Sequence, residues 1–369
     1  MNSNEQGPDL VPEILPGGVM NPQSVNIVET RDPVLPPGGP NTSITDKKAG
    51  TKTITPFRAA FNRFKRDKRA IVSVGVLVFF VLLAIFGPLI YLHVGPSIQS
   101  DLAGTIGPTE YHQYYHQELS RQDQDPSAVY WLGTDPYGRD LLSRLMQGVL
   151  ISILVSLLVE VVDVVLGILI GVLAGYYGGW IDQFLARFTD VVFAFPPLMF
   201  AILLIGIFGS SSNSAFANLP ILGENGNARL VLASIALAFV AWPLMARYVR
   251  AQTLQLKEQQ YVEAARTSGT SAVRIILRHI IPNLMSLVII AGTLDIANTI
   301  VNEAGLSLLG LGVTEPGSSL GLMISDALGT TDTHPIEVLV PTLALAAIVL
   351  AISFIGDGLR DALDPNTTN

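Results

Sequence analysis

Three carboxylates stand in stretches that otherwise carry almost no charge: Glu160 and Asp163 at i and i+3, and Asp295 far along the chain. An ionisable group inside a long apolar run is costly, so by default it marks an ion or solute pathway or a buried polar contact. For Asp295 both readings stand, and Asn298 and Asn302 follow it as further candidates for a pathway lining. No other constellation reads as catalytic. The phosphate-cradling pattern G-x-x-x-x-G-K-[ST] does not occur, so ATP is not hydrolysed by that device and any ATP energy must come from a partner. There is no H-E-x-x-H, and with 0 Cys there is no disulfide, thiolate nucleophile or thiolate metal site. Among the 5 histidines, His112 and His116 have the i,i+4 spacing that would converge on a metal if helical, but their Tyr- and Gln-rich surroundings read as a solvated loop. No metal, no cofactor and no covalent catalysis are expected.

The elements that must hold these groups are membrane spans. Of 369 residues 49% are apolar and 14% charged, against roughly 25% charged in soluble domains. Apolar runs at 70–92, 149–175, 191–209, 230–246, 284–301 and 338–356 are each long enough for a helix through a hydrocarbon core of about 30 Å. The expectation is an all-α, polytopic membrane protein with six transmembrane helices, which excludes a soluble enzyme. Residues 1–55, with Pro36, Pro37, Gly38, Gly39 and Pro40 in succession, read as a disordered tail rather than a cleaved signal peptide.

Charge sets the orientation. Lys52, Arg58, Arg63, Lys65, Arg66, Lys68 and Arg69 precede the first span, which puts the N-terminus in the cytoplasm by the positive-inside rule; nucleic-acid binding is the weaker alternative. Six spans return the C-terminus to the same side. The connections expected outside, 210–228 and 303–337, hold no Lys or Arg, whereas the inner one holds Arg247, Arg250, Lys257, Arg266, Arg274 and Arg278. Arg121, Arg139 and Arg144 in the first outer connection break the pattern, but long loops obey the rule weakly. Pro196, Pro197 and Pro243 are expected to bend or break the third and fourth spans. Gly167, Gly171 and Gly175, four apart, form a face for close helix packing.

The stretch 247–282 is too polar to span and too rich in helix formers for a simple loop. A helix over 261–269 is expected to end at Gly269, and a second over 272–281 to carry Val273, Ile276, Leu277 and Ile280 on one apolar face. Small Ala264 and Ala265 let another protein approach, and Glu263 can pair with a basic residue or cap the backbone.

Glu263-Ala264-Ala265 with Gly269 and His279-Ile280-Ile281-Pro282 resembles the EAA loop of bacterial ABC-importer permeases. The surrounding Arg247-Tyr-Val-Arg250 and Tyr261-Val-Glu-Ala-Ala265 are similar to the C-type subunit of the dipeptide/oligopeptide permease family. So are Leu132-Gly-Thr-Asp-Pro-Tyr-Gly-Arg-Asp140 with Ser143-Arg144, Tyr177-Gly-Gly-Trp-Ile-Asp182 with Arg187, Asp190 and Pro196, Glu303-Ala with Leu306 to Gly312, and the run from Gly356 to Pro365. The resemblance implies an ABC type I importer permease fold. It also implies a coupling helix in which Glu263, Ala264, Ala265 and Gly269 dock on an ATPase subunit. The implied partners are a homologous second permease subunit, two ATP-binding cassette ATPase subunits, an extracytoplasmic solute-binding protein and the lipid of the inner cell membrane, with no nucleic acid. The chain itself would be no enzyme.

The expected organisation is a tail at 1–55, a basic flank and first span at 56–92, an outer loop at 93–142, a permease core at 143–357 containing the 247–282 coupling loop, and a cytoplasmic tail at 358–369. For the 132–140 motif a structural role is favoured over solute contact. Leu150, Gly305 and Asp295 depart from the family's usual arginine, serine and apolar residue. The solute is expected to be a peptide, with nickel chelates or other small solutes as the alternative. An ion-coupled secondary transporter using Glu160, Asp163 and Asp295, and a membrane scaffold, are the readings from other classes.

Overall fold

The computed structural model describes residues 56–101, 104–216 and 228–363. The expected disordered tail at 1–55, most of the 210–228 connection and the end of the 358–369 tail lie outside the described residues.

The chain enters through α1 (Pro56–Phe64) and α2 (Lys68–Tyr91), a charge-poor run that fits a crossing. It then builds a small subdomain: a hairpin of β1 (Ile98–Ser100) and β2 (Gly104–Ile106) with Ile98 opposite Ile106, followed by the single turn α3 (Pro108–Tyr111). Next come α4 (Leu141–Tyr177), α5 (Gly179–Phe193), α6 (Pro197–Phe216) and α7 (Ala228–Lys257). A short α8 (Gln260–Thr267) leads to α9 (Ala272–Ile275), a π turn at Ile276–Ile280 and α10 (Ile281–Leu308). α11 (Leu320–Asp326) and α12 (Pro335–Leu363) complete the fold.

Among the described residues five rods are long and apolar enough to cross a membrane: α2, α4, most of α7, α9 with α10, and α12. The pair α5 and α6, bent by 75° at its break, makes a sixth crossing if the two helices count as one span. The break falls at Pro196-Pro197: α5 stops at Phe193, and Pro197 is the first residue of α6, where its missing N–H costs no helical bond. Pro243, by contrast, sits inside a continuous α7 and does not break it. α7 also runs on to Lys257, so 247–257 extends the fourth span rather than starting a loop.

The glycine face on α4 packs as its spacing implies. A β-carbon at Gly171 would stand 2.6 Å from the Ala246 carbonyl oxygen and 2.8 Å from Val249, and one at Gly175 would stand 2.7 Å from Thr253. α4 and α7 are therefore in backbone contact, which only small residues permit. Beneath this seam Val172, Met245, Val249, Val262, Ile275, Ile280, Leu284 and Val288 form one apolar cluster. It joins three spans to α8.

The segment after α2 is a folded subdomain and not a solvated loop. Buried Glu118 accepts hydrogen bonds from Ser100 Oγ (2.6 Å) and the Asp101 N–H (2.8 Å), and pairs with His116 Nε2 (2.8 Å). Burial alone would raise its pKa, but these three partners outweigh it and hold the carboxyl below its usual range. His112 is buried, its Nδ1 on Asp140 and its Nε2 on the Val94 carbonyl (3.0 Å). His112 and His116 thus go to separate partners, and the i,i+4 pair makes no shared site.

Candidate coupling surface and intramembrane polar face

α8 stands on a single buried residue, Val262, which is wholly inside the cluster under the α4–α7 seam. Glu263, Ala264, Arg266, Thr267, Ser268 and Gly269 are exposed and Ala265 is half-buried, so nearly the whole turn faces outward. Gly269 has φ +75°, and two backbone bonds close the helix around it: Thr270 N–H to the Ala265 carbonyl (3.1 Å) and Gly269 N–H to the Arg266 carbonyl (3.0 Å). This is a Schellman closure, which needs a left-handed residue at that position. The structure thereby brings Glu263, Ala264, Ala265 and Gly269 onto one compact protrusion.

The second apolar face differs from the expectation. Ile275 and Ile280 are buried, whereas Val273 and Leu277 are each 61% exposed and Ile276 is only partly covered. The π turn is the cause: Ile281 N–H bonds the Ile276 carbonyl, an i→i+5 step that shifts the helical phase. Val273 and Leu277 instead border an open cleft with Ser271, Arg274, Arg278 and Pro282.

α5 is fixed to the bundle by charge. Arg250 Nη2 donates to Asp182 Oδ2 (2.8 Å), Arg247 Nη2 donates to Asp190 Oδ1 (2.8 Å), and the Arg247 guanidinium lies 4.0 Å from the centre of the Phe193 ring. Gly178 and Gly179, at φ +67° and +56°, make the tight corner from α4 into α5. The Tyr177–Asp182 motif is thus a corner and a clamp.

At mid-bundle Glu160 and Asp163 of α4 meet Asp295 of α10, each offering an oxygen within 4.8 Å of the others. Glu160 and Asp163 are buried, Asp295 is half-buried, and Gly292 leaves the space that the Glu160 carboxylate occupies. From Asp295 a polar stripe continues through exposed Asn298 and half-buried Asn302. The sequence reading located all three acids inside spans but did not join them. The i,i+3 spacing puts Glu160 and Asp163 on one face of α4, but no signal in the sequence names α10 as the element that they face. One helical step beyond Asn302, Glu303 is fully satisfied, accepting from Ser152 Oγ (2.9 Å) and Ser307 Oγ (2.7 Å). That motif residue locks α10 to α4.

At the subdomain end, wholly buried Arg139 bonds Asp135 (2.6 Å), Asp326 (2.8 Å) and Glu315, and Arg144 adds Asp326 at 3.2 Å. Burial pushes the Asp326 carboxyl up to about 6 against the pull of both guanidiniums. Asp140 caps α4 through the N–H groups of Leu142 (2.9 Å) and Ser143 (3.2 Å). In this structure the 132–140 motif therefore acts as an anchor.

Two family descriptions match the chain. Residues 167–369 match the binding-protein-dependent transport system inner membrane component, and residues 55–123 the N-terminal TM domain of oligopeptide transport permease C. The dipeptide transport system permease protein DppC of Alkalihalophilus pseudofirmus is 33% identical over 312 residues, 85% of this chain and 90% of that one. This chain belongs to the binding-protein-dependent transport permeases. Within that family it has the C-type architecture of the peptide permeases, and it is also similar to the glutathione transport system permease protein GsiD of Salmonella typhimurium, 36% identical over 84% of this chain and 91% of that one. A solved chain of the inward-facing methionine transporter MetNI aligns at TM-score 0.46 and 18% identity, covering 60% of this permease and 96% of that chain. Like its family, the permease is a multi-pass inner-membrane component.

Proposed function

We propose that this permease is one half of the transmembrane pathway of an ATP-driven importer for peptides or a related small solute, operating by alternating access with both termini in the cytoplasm. A second homologous permease completes the pathway, two ATPase subunits hydrolyse ATP, and a solute-binding protein delivers the cargo. The relatives named for dipeptide and glutathione transport support a peptide-like solute, with nickel chelates or other small solutes as the alternative.

The observation that carries the reading is the α8 protrusion. A rigid turn of small and polar residues rests on one apolar cluster shared with α4, α7 and α10, so a push on Glu263–Gly269 moves the three spans together. ATP-driven closure of the partner would bias the bundle through differential contact with this turn. The polar stripe Asp295–Asn298–Asn302 supports a pathway on that face of α10, because exposed polar groups at mid-span are not tolerated against hydrocarbon. Co-reconstitution with the partner subunits in proteoliposomes, followed by uptake of labelled di- and tripeptides with and without ATP, tests the proposal. Uptake that needs ATP and the binding protein supports it; uptake driven by an ion gradient without ATP sinks it.

A further inference from the structure

Where the subdomain meets the first turn of α12, the carboxyls of Asp123 and Glu337 face each other beside His334, and with both ionised the buried atoms Asp123 Oδ1, His334 Nδ1 and Glu337 Oε1 have no hydrogen-bond partner. The three residues each offer one ligand-capable atom, and these lie within 4.8 Å of one another. A single orphaned buried polar atom already costs about 1–3 kcal/mol, and a native structure rarely gathers several without an ion or water to satisfy them. Glu337 is only 3% exposed, so bulk solvent does not satisfy it.

The residues are also held for the purpose. His334 N–H bonds the Thr330 carbonyl (2.7 Å) and Glu337 N–H bonds the His334 carbonyl (3.2 Å), which stacks the imidazole and carboxylate on one side of the turn. Thr330 Oγ1 donates to Glu337 Oε2 at 2.6 Å, fixing one carboxylate oxygen and leaving Oε1 free to coordinate. Asp123 arrives from the subdomain, its N–H tied to the Asp135 carbonyl (3.2 Å).

We infer that Asp123, His334 and Glu337 form a binding site for a divalent first-row transition metal, Zn²⁺ in particular. Two carboxylates and a neutral imidazole carry two negative charges, which a dication balances. The imidazole nitrogen argues against Ca²⁺ and Mg²⁺, which take oxygen ligands, and suits Zn²⁺ and its neighbours. Three protein ligands leave a position for water. The Thr330 hydroxyl is the outer group that orients a ligand. The ion would pin the subdomain to α12.

The full chain, purified through a tag without histidine and stripped with a chelator, is titrated with Co²⁺ alone while its visible d–d absorption is followed. The expected result is one ion per chain, displaced by Zn²⁺, with the band lost in Asp123→Asn/His334→Ala and retained in His93→Ala. Thr330→Val is expected to weaken binding about 10–100-fold without removing a ligand, which keeps the test valid if the double variant misfolds. A chain that binds no cobalt, or a band of equal strength and affinity in Thr330→Val and the double variant, overturns the inference.

Discussion

Gly171 of α4 lies so close to Ala246 of α7 that a β-carbon on the glycine would come within 2.6 Å of the alanine carbonyl oxygen. This contact sets the distance between two spans, and the cluster below it carries α8. Replacing Gly171 with Val is expected to separate the helices and to lower stability by roughly 1–3 kcal/mol. Thermal unfolding of the purified chain reads the loss; an unchanged midpoint would mean the seam is looser than described.

Gly269 is needed for its backbone, because nothing lies within 4 Å of where its β-carbon would go. At φ +75° a β-branched residue is strongly disfavoured, at a cost of about 1–2 kcal/mol. Gly269→Val is expected to insert normally yet uncouple ATP hydrolysis from uptake, whereas Gly269→Asn is expected to retain much of the coupling. Equal transport by the Val variant and wild type would refute the left-handed turn as the reason for the glycine.

Much of this was legible beforehand because it is local. The four-residue spacing of Gly167, Gly171 and Gly175, the break at Pro196-Pro197 and the helix stop at Gly269 each follow from a few neighbouring residues. The apolar face at Val273, Ile276, Leu277 and Ile280 was misread because a π turn changes the period and no local residue announces it. The fold of the subdomain was missed because its order rests on distant polar partners such as Arg139 with Asp326 and His112 with Asp140. The meeting of Glu160 and Asp163 with Asp295 depends on the rotation of α4 against α10, which no periodicity encodes.

Arg139 and Arg144 both lie within ion-pair distance of Asp135, Glu315 and Asp326, and Arg139 makes the shorter contact to each. Arg139→Met is expected to destabilise by up to about 3–5 kcal/mol, since it leaves Asp135, Glu315 and Asp326 to share Arg144 alone. Proteolysis of the 92–140 subdomain in membranes is the readout, and protection equal to wild type would contradict the anchoring role.

Glu118 gives the subdomain an acid limit. Its folded pKa lies below the ordinary 4.5, so its stabilisation is present above that value and is lost as pH falls through the lowered folded one. Glu118→Gln is expected to remove this dependence and to cost about 1.5–3 kcal/mol at neutral pH through lost charge-assisted bonds. Subdomain unfolding followed by pulse proteolysis from pH 6 to pH 3 compares the two; parallel curves would exclude Glu118 as the titrating group.

Asp295→Asn is expected to alter uptake kinetics if the stripe with Asn298 and Asn302 lines the pathway, while leaving basal ATPase activity of the assembled transporter intact. Unchanged uptake would assign the carboxylate a packing role beside Glu160 and Asp163.

The most direct test uses the fact that the chain has 0 cysteines. Ala264→Cys puts one thiol on the exposed face of α8, where a bifunctional maleimide in native membranes can capture whatever docks there. The account predicts an adduct with an ATPase subunit bearing a phosphate-binding loop, formed in an ATP-dependent amount, and no labelling by a membrane-impermeant maleimide applied from outside the cell. Labelling from outside, or no adduct with an ATPase under any nucleotide condition, would contradict α8 as the coupling element.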